Sequence, residues 1–317
     1  MADLVTLGEA MLVLRGGQPG PLRVGSPFVA SVAGAEATVA IGMARLGHST
    51  RWVGRVGADS GGELVLSSLR ESSVDVSLAR VDPAAPTGLL LRSPRTPALT
   101  AVEYYRSGSA GSRIDAADVA DCLTPGTRIL HLTGITAALS ESAAGAVLGA
   151  VASARAAGVA VSYDVNHRTR LCSVETAGQR LRAILPDIEV LFCGTDELAV
   201  LAAATGSEDD PVSAALGLGV AEVVVKDGPR GAAVVTRDQR QEVPAVPVTQ
   251  VVDVVGAGDA FVAGYLSARI DGLPPRERLR RGASVAAFCV SCAGDWEGLP
   301  RREELPLMEL PAETTLR

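Results

Sequence analysis

The alternation of short β-branched segments with longer alanine-rich segments most strongly constrains the fold of this chain. RILHLTG, VAVSYDVN, IEVLFCG and AEVVVKDG are short and apolar, whereas SESAAGAVLGAVASARAAG is rich in helix-forming residues. Such strands are typical of parallel sheets that helices cover on both faces. With 317 residues, 47% of them hydrophobic, the chain can bury a large core. We therefore predict an α/β fold with a mostly parallel sheet, as one large domain or as a domain with an appendage.

Two regions depart from this alternation. Residues 10–32 hold several glycines and prolines among short alternating runs, and residues 87–108 predict a hairpin of two strands around a proline-rich turn. We predict that they form a small antiparallel sheet that stands off the main sheet as a lid; the alternative is an irregular pair of loops. Leu89 and Leu91 in one strand, with Val102 and Tyr104 in its partner, would give the lid one apolar face. We expect two copies of the chain to associate through that face.

Composition excludes several classes of protein. The net charge of −7 argues against a broad nucleic-acid-binding surface. No run of about 18 uncharged apolar residues predicts a membrane span, and MADLVTLGEAML reads as a first strand rather than a secretion signal. The CxxC at Cys289 and Cys292 lies in a helical pattern and lacks the second ligand pair of a zinc site. We expect a cytoplasmic protein with buried, reduced cysteines and with neither nucleic-acid nor membrane partners.

The segment VVDVVGAGDAFVAGY, residues 251–265, predicts a strand, a glycine turn and a helix. Glycines at such a turn let the backbone approach a phosphate at the helix N-terminus. A dinucleotide fingerprint fits poorly, because Phe261 replaces its third glycine and Asp271 is a poor match to the acid expected about twenty residues later. A P-loop also fits poorly, since no Gly-Lys pair is followed by Ser or Thr and Lys226 is the only lysine.

Asp259 follows the last glycine of this turn directly. The N-terminus of a helix stabilises an ionised carboxylate, so a charged Asp259 would lie beside any phosphate that the turn holds. An anion in that place suits a base that accepts a proton from a hydroxyl attacking a γ-phosphoryl group. The simpler alternative is that Asp259 is the N-cap of the helix.

Residues 253–261, DVVGAGDAF, resemble the late signature D-x-x-G-A-G-D-x-F of the PfkB, or ribokinase-like, sugar kinases. AGAEATVAIGMARLG, residues 33–47, resembles the early signature of the same family. The resemblance implies one kinase domain over residues 1–317, with a three-layer α/β/α fold and a β-sheet lid. It also implies ATP and Mg²⁺ as cofactors and leaves a monovalent-cation requirement open. Asp259 would be the catalytic base, and the amides of Gly256, Ala257 and Gly258 would form an anion hole.

Four further segments resemble one branch of that family, the 2-keto-3-deoxygluconate kinases: EYYRSGSAGS, HLTGITAALS, DVNHR and GDWEG. The substrate of that branch carries a carboxylate, which requires cationic or hydrogen-bonding partners. At the end of the predicted lid hairpin, Tyr104 offers a hydroxyl and Arg106 a guanidinium, the group best shaped for a carboxylate. Without the resemblance, Arg106 could equally be a surface arginine on an edge strand.

Other site residues are implied by the resemblance alone. Those that would contact the sugar acid are Gly34, Thr38, Arg168 and Asp295. Those that would contact the nucleotide, together with Gly256 and Gly258 of the turn, are Asn166, Arg168, Gly194, Lys226, Gly228 and Gly231. Glu197 would organise Mg²⁺ through water. Three positions depart from the family pattern: Thr38 and Gly194 replace asparagines, and Leu90 stands where a tyrosine could reach the substrate.

The leading hypothesis is therefore an ATP-dependent kinase that phosphorylates 2-keto-3-deoxygluconate on its terminal hydroxyl. A kinase for a neutral sugar such as fructose or ribose is the alternative within the family. A catalytically silent sugar- or nucleotide-binding regulator is the alternative from another class, and an oxidoreductase is the weakest hypothesis.

Overall fold

The computed structural model describes residues 2–96 and 99–309. The strands in chain order are β1 (Leu4–Leu7), β2 (Met11–Gly16), β3 (Phe28–Ala33), β4 (Thr50–Val53), β5 (Arg55–Gly57), β6 (Val74–Asp75), β7 (Arg80–Asp82), β8 (Leu89–Thr96), β9 (Leu99–Tyr105), β10 (Ile129–Thr133), β11 (Ala160–Asp164), β12 (Val190–Gly194), β13 (Glu222–Lys226), β14 (Ala232–Val235) and β15 (Arg240–Val243). The helices are α1 (Ala35–Arg45), α2 (Ser60–Glu71), α3 (Ala116–Val119), α4 (Gly134–Leu139), α5 (Glu141–Ala157), α6 (Val174–Ile184), α7 (Leu198–Thr205), α8 (Pro211–Gly217), α9 (Ala257–Ile270) and α10 (Pro275–Val290).

In the described part of the chain, the main sheet has nine strands in the order β15-β14-β13-β12-β11-β10-β1-β4-β6. All neighbours from β13 to β6 pair in parallel, and β14 and β15 add an antiparallel edge. Successive side chains of each strand point to opposite faces, so one face packs on α1, α9 and α10 and the other on α5, α6 and α7. The predicted mostly parallel sheet between helical layers is confirmed. The carboxyl ends of its parallel strands meet at one edge, where ligands bind in such folds.

A smaller four-stranded sheet, here called the lid, has the order β3-β2-β8-β9. It is built from the two regions that departed from the main alternation, and its inner face buries Met11, Val13, Ala33 and Leu90. The expectation of a purely antiparallel sheet is wrong, because β2 and β8 run parallel. The chain passes through α1, β4 and α2 between these two strands, and a crossover of that length brings the second strand back in the same direction.

The register of the lid hairpin pairs Leu89 with Tyr105, Leu90 with Tyr104 and Arg92 with Val102. Directly paired residues share a face, so Tyr104 and Val102 lie on the face opposite to that of Leu89 and Leu91. The expectation that all four residues form one apolar face is wrong. A shift of one residue in register exchanges the two faces, and the hairpin turn that sets it includes residues 97–98, outside the described part.

The start of α2 is fixed by a side-chain cap. Asp59 is the N-cap, and its side chain accepts a hydrogen bond from the amide of Gly62 at 2.8 Å. The same carboxylate accepts the amide and the hydroxyl of Thr87, at 2.8 and 2.7 Å. Asp59 therefore attaches α2 to the segment that leads into β8 of the lid.

All five cysteines are free, but only three of them are buried, since Cys172 is half-buried and Cys292 exposed. Cys292 lies two residues beyond Val290, the last residue of α10. Within the described ranges, no helix has the length and apolar character to cross a bilayer.

Candidate active site

The floor of the candidate site is formed by Asp164 and Lys226, the last residues of β11 and β13. Lys226 Nζ donates to Asp164 Oδ2 at 2.5 Å. Burial lowers the pKa of Lys226, but the carboxylates of Asp164, Glu197 and Asp259 outweigh it and the pKa is raised. Lys226 is therefore a fixed cation among three acids. Asp164 was not singled out from the sequence, although an acid that ends a buried strand is a usable signal.

The glycine turn lies above this floor. Gly256 is the N-cap of α9 with φ 77°, and a Cβ there would lie 2.1 Å from the backbone oxygen of Asp295, so only glycine fits. A Cβ on Gly258 would lie 3.6 Å from Lys226 Nζ, which places the turn beside the lysine. The first amides of α9, including those of Gly258 and Asp259, have no acceptor within the helix. The amide of Ala257 donates to the carbonyl oxygen of Val254 at 3.4 Å, whereas the amides of Gly258 and Asp259 have no acceptor among the described residues and can donate to an anion.

The strand expected immediately before the turn does not form. Residues 251–254 are irregular, and the amides of Val252 and Asp253 donate to the carbonyl oxygen of Val290, at 2.8 and 3.3 Å. The segment thus binds the C-terminal end of α10 instead of a sheet edge. These tertiary contacts override the strand preference of its β-branched residues.

Asp259 is the third residue of α9, not its N-cap, so the simple capping hypothesis is wrong. Asn166, in the loop after β11, donates its side-chain amide to Asp259 Oδ1 at 3.2 Å. Burial raises the pKa of Asp259 to about 6, against the opposing effect of Lys226 and Arg168. Asn166 has a left-handed φ of 38°, which is a strained conformation for a non-glycine residue. That conformation points its amide at Asp259.

Glu197 connects the loops that follow β11 and β12. Its Oε1 accepts the backbone amide of His167 and its Oε2 the amide of Gly194, each at 2.7 Å. Burial, and then the nearby charge of Asp164, raise its pKa. A side chain at Gly194 would place its Cβ 2.3 Å from Asp196 Oδ1, so the asparagine of the family pattern would require Asp196 to move. Arg168, beyond His167, is exposed.

Gly228 and Gly231 flank a short turn after β13, on the same edge of the sheet as Lys226. Their φ angles are 52° and 117°, which favour glycine. Nothing lies within 4 Å of a Cβ on Gly228. The predicted nucleotide loop is thus open on one side and is attached to the end of a site strand.

Helix α1 begins after Gly34, and a Cβ on Gly34 would lie 2.6 Å from the backbone oxygen of Glu9. Thr38, one turn later, is buried, and the described residues give its hydroxyl no partner. Between them lies Glu36, which the sequence analysis missed. Glu36 Oε1 accepts the hydroxyls of Thr133 and Thr136, each at 2.6 Å, and burial raises its pKa.

Arg106 lies at the end of the lid hairpin and is held by buried Glu9. Its Nε and Nη2 donate to Glu9 Oε2 at 2.7 and 2.5 Å, and Ser109 donates its hydroxyl to the other oxygen. Only 11% of the Arg106 side chain is exposed, so it is not a surface arginine. Its guanidinium carbon lies 5.7 Å from the ring centre of Tyr104. Glu9, just beyond β1, was not singled out from the sequence.

Asp295 lies on the far side of the turn, against Gly256. Burial raises its pKa to about 7, while Arg92, with Nη1 3.6 Å from Oδ1, opposes the shift. The structure thus brings Asn166, Lys226, Gly258, Asp259 and Asp295 around one turn. No contact between Asp259 and Tyr104, Thr38, Gly228 or Gly231 is among the described interactions.

Comparison with known proteins gives a consistent result. The sequence model of the pfkB family carbohydrate kinases matches residues 1–302. The 2-dehydro-3-deoxygluconokinases of Bacillus subtilis (strain 168) and Thermoproteus tenax are each 35% identical over 96% of this chain, and the matches cover 94% and 93% of their lengths. A probable chloroplastic fructokinase-6 of Arabidopsis thaliana is 31% identical over 87% of this chain and 74% of its own length.

Among solved structures, the PfkB protein from Polaromonas sp. JS666 is 34% identical and superimposes with a TM-score of 0.84 over 96% of this chain and 99% of its own. A fructokinase from Xylella fastidiosa with bound ATP is 25% identical, with a TM-score of 0.85 over 97% of this chain and 98% of its own. This chain belongs to the PfkB family of carbohydrate kinases.

Proposed function

We propose that this kinase transfers the γ-phosphoryl group of ATP to the terminal hydroxyl of 2-keto-3-deoxygluconate, with Asp259 as the base. The observation that carries the proposal is the place of Asp259, in the first turn of α9 and oriented by Asn166. The substrate O–H proton passes to the Asp259 carboxylate, the oxygen forms a bond to the γ-phosphorus, and the bond from that phosphorus to the ADP oxygen breaks. With a pKa of about 6, Asp259 is mainly ionised at pH 7.

Charge on the transferred phosphoryl group is met by the amides of the turn and by Lys226. The amides of Ala257, Gly258 and Asp259 belong to the helix N-terminus, where anions are stabilised. Lys226 lies beside Gly258 and stays protonated because three carboxylates surround it. Phosphoryl transfer depends mainly on such positioning and charge stabilisation.

The residues around Lys226 also fit a nucleotide-bound Mg²⁺. Such an ion is held by phosphates and water with only one or two carboxylates, and no larger group of His, Cys, Asp or Glu ligands converges within the described ranges. Asp164 Oδ1 is buried, and the described residues give it no donor. Each oxygen of Glu197 accepts a single amide, so acceptor capacity remains for the water shell. When bound, Mg²⁺ would neutralise phosphate charge. A monovalent-cation requirement stays a prediction.

ATP as the phosphoryl donor is supported by the bound ATP of the Xylella fastidiosa fructokinase. The open turn at Gly228 and Gly231 continues the strand that carries Lys226, so a nucleotide on that turn would direct its phosphates towards the glycine turn. Gly194 at the end of β12, with Asn166 and Arg168 in the loop after β11, completes the proposed nucleotide side.

Two observations favour a sugar acid over a neutral sugar: the position of Arg106, and the similarity to two 2-dehydro-3-deoxygluconokinases. Glu9 occupies the Nε and Nη2 donors of Arg106, whereas the described residues supply no acceptor for Nη1. The Nη1 group remains for the substrate carboxylate, and the ring of Tyr104 lies next to the same guanidinium, 5.7 Å from its carbon to the ring centre. Gly34, Thr38 and Asp295 would line the remainder of the sugar. The relationship to fructokinases keeps a neutral sugar as the alternative.

An ATP-consumption screen tests the proposal with 2-keto-3-deoxygluconate, 2-keto-3-deoxygalactonate, fructose and ribose as acceptors. We expect the sugar acids to be phosphorylated with the highest kcat/KM. Arg106→Ala should then lower kcat/KM for the acid by about 100-fold and leave neutral sugars almost unaffected, and the matched control Arg276→Ala, at an exposed position of α10, should behave as wild type. Preference for fructose or ribose, or an Arg106→Ala enzyme with unchanged KM for the acid, would contradict the substrate assignment.

We also propose that two copies associate through the outer face of the lid. Leu89 and Leu91 are half-buried there, and Tyr105 is exposed beside Leu89. Light scattering should give the mass of a dimer, and Leu91→Glu should reduce it to that of a monomer. A monomeric wild-type protein would overturn this part of the proposal.

A further inference from the structure

Arg92 belongs to the lid strand β8 but forms its ion pairs with the glycine-turn region. Its side chain is buried, and Nη2 donates to both oxygens of Asp253, at 2.9 and 2.7 Å. Its Nη1 lies 3.6 Å from Asp295 Oδ1. A guanidinium with two acidic partners in a buried place is held in one geometry, because breaking the pair would leave charges without a counterion.

Asp253 connects Arg92 to the backbone of the glycine turn through hydrogen bonds. Its Oδ1 accepts the amide of Val255 at 3.1 Å, one residue before the N-cap Gly256. Its Oδ2 accepts the amide of Gly294 at 3.2 Å. One carboxylate therefore fixes the backbone that leads into the anion-binding turn and the backbone that packs against its far side.

Residues 294–297 form a second connection between the lid and the turn. Trp296 Nε1 donates to the carbonyl oxygen of Val32 at 2.9 Å, and Ser31 donates its hydroxyl to Glu297 at 2.6 Å. Ser31 and Val32 both belong to lid strand β3. The carbonyl oxygen of Asp295 occupies the space that a side chain on Gly256 would need. Two lid strands thus reach the same turn, one by an ion pair and one by hydrogen bonds.

We propose that Arg92 is a positioning residue for phosphoryl transfer, which acts through Asp253 to hold the glycine turn in its anion-binding conformation only when the lid lies over it. This inference rests on the proposed role of the turn that carries Asp259. Arg92 does not touch the reacting atoms; it links the position of the lid to the direction of the turn amides. Loss of the link should affect kcat more than the KM for either substrate.

Kinetics of Arg92→Met and Arg92→Lys test the proposal, with Arg95→Met, an exposed arginine of the same strand, as the control. We expect kcat to fall about 100-fold in Arg92→Met and about tenfold in Arg92→Lys, whose single ammonium cannot reach Asp253 and Asp295 at the same time. Added guanidinium ion should restore part of the kcat of Arg92→Gly. The effects of Arg92→Met and Asp253→Asn on log kcat should be non-additive, because both remove the same contact.

Trp296 provides a readout of the lid. The chain has two tryptophans, and Trp52 is fully buried in the core, so a fluorescence change on sugar binding reports mainly on Trp296. We expect that change in wild type and its reduction in Arg92→Met.

Wild-type kcat in a folded Arg92→Lys, or additive effects of Arg92 and Asp253, would overturn the inference. If Arg92→Met does not fold, Arg92→Lys and Asp253→Asn decide the same question. An active Asp259→Asn would instead overturn the proposed base.

Discussion

Lys226 Nζ lies 2.5 Å from Asp164 Oδ2, and this pair joins the carboxyl ends of β13 and β11 below the glycine turn. Lys226 also favours the ionised form of Asp259, because its positive charge lowers the pKa of that aspartate, against the effect of burial. The only lysine of the chain thus compensates three acids and faces the phosphoryl site.

Replacement of Lys226 by methionine should therefore change the pH dependence as well as the rate. Without the ammonium, the pKa of Asp259 should rise above about 6, because burial then acts with less opposition. The acid limb of the kcat/KM profile should move to higher pH, and kcat at pH 7 should fall about 100-fold. Lys226→Arg, which keeps the charge, should retain the limb near its wild-type position. An unshifted limb in Lys226→Met would show that Lys226 does not influence the base.

Asp259 itself should set the acid limb of the wild-type enzyme. A base must be deprotonated, so kcat/KM should fall as the pH drops below about 6. The raised pKa also means that the folded state binds the proton more tightly than the unfolded state, whose pKa is near 3.8. Stability contributed by this group is thus lost as the pH rises from about 4 to about 6.

Asp259→Asn should consequently lose about 1,000-fold in kcat without a loss of stability. Thermal unfolding at pH 8 should show a Tm equal to or above that of wild type, because the variant has no disfavoured carboxylate at this position. A Tm several degrees lower, together with residual activity near wild type, would contradict both the catalytic and the electrostatic interpretation.

Local backbone rules alone predict only the part of the site that one continuous segment forms, whereas Asn166, Lys226 and Asp295 were expected only because of the family resemblance. The turn and Asp259 lie within nine residues, so their geometry follows from local backbone rules. Glu9 and Glu36 could not be found in that way, because each becomes part of the site only when segments distant in sequence come together. The face assignment of the lid failed for a related reason: hairpin register depends on a turn that composition does not specify. Arg106 was expected as a carboxylate partner, but its buried counterion Glu9 lies 97 residues earlier in the chain.

Glu197 should affect the use of Mg²⁺. Glutamine at this position keeps one acceptor, but its NH₂ group would face the amide of either His167 or Gly194, two donors that the carboxylate now satisfies. We expect the Mg²⁺ concentration for half-maximal rate to rise about tenfold in Glu197→Gln, and the KM for ATP to rise with it. Glu208→Gln, at an exposed position, is the matched control. An increase in the KM for ATP that is the same at every Mg²⁺ concentration would contradict a role in the use of Mg²⁺. It would show that Glu197 only holds the two loops together.

Glu9 offers the sharpest test of the sugar-acid assignment. Glu9→Gln keeps the size of the side chain but leaves Arg106 as a buried charge without its counterion, which should cost about 3 kcal/mol of stability in the free protein. A substrate carboxylate would then replace the missing counterion. The ligand-induced rise in Tm should therefore be larger in Glu9→Gln than in wild type for 2-keto-3-deoxygluconate, and no larger for fructose.

Ser109→Ala provides the control for this comparison, because it removes a hydroxyl donor to Glu9 and leaves the ion pair with Arg106 in place. It should lower the Tm only slightly and keep the wild-type response to both sugars. If Glu9→Gln responds equally to the acid and to fructose, then Arg106 does not face the substrate carboxylate, and the fructokinase-like alternative gains the support that the sugar acid loses.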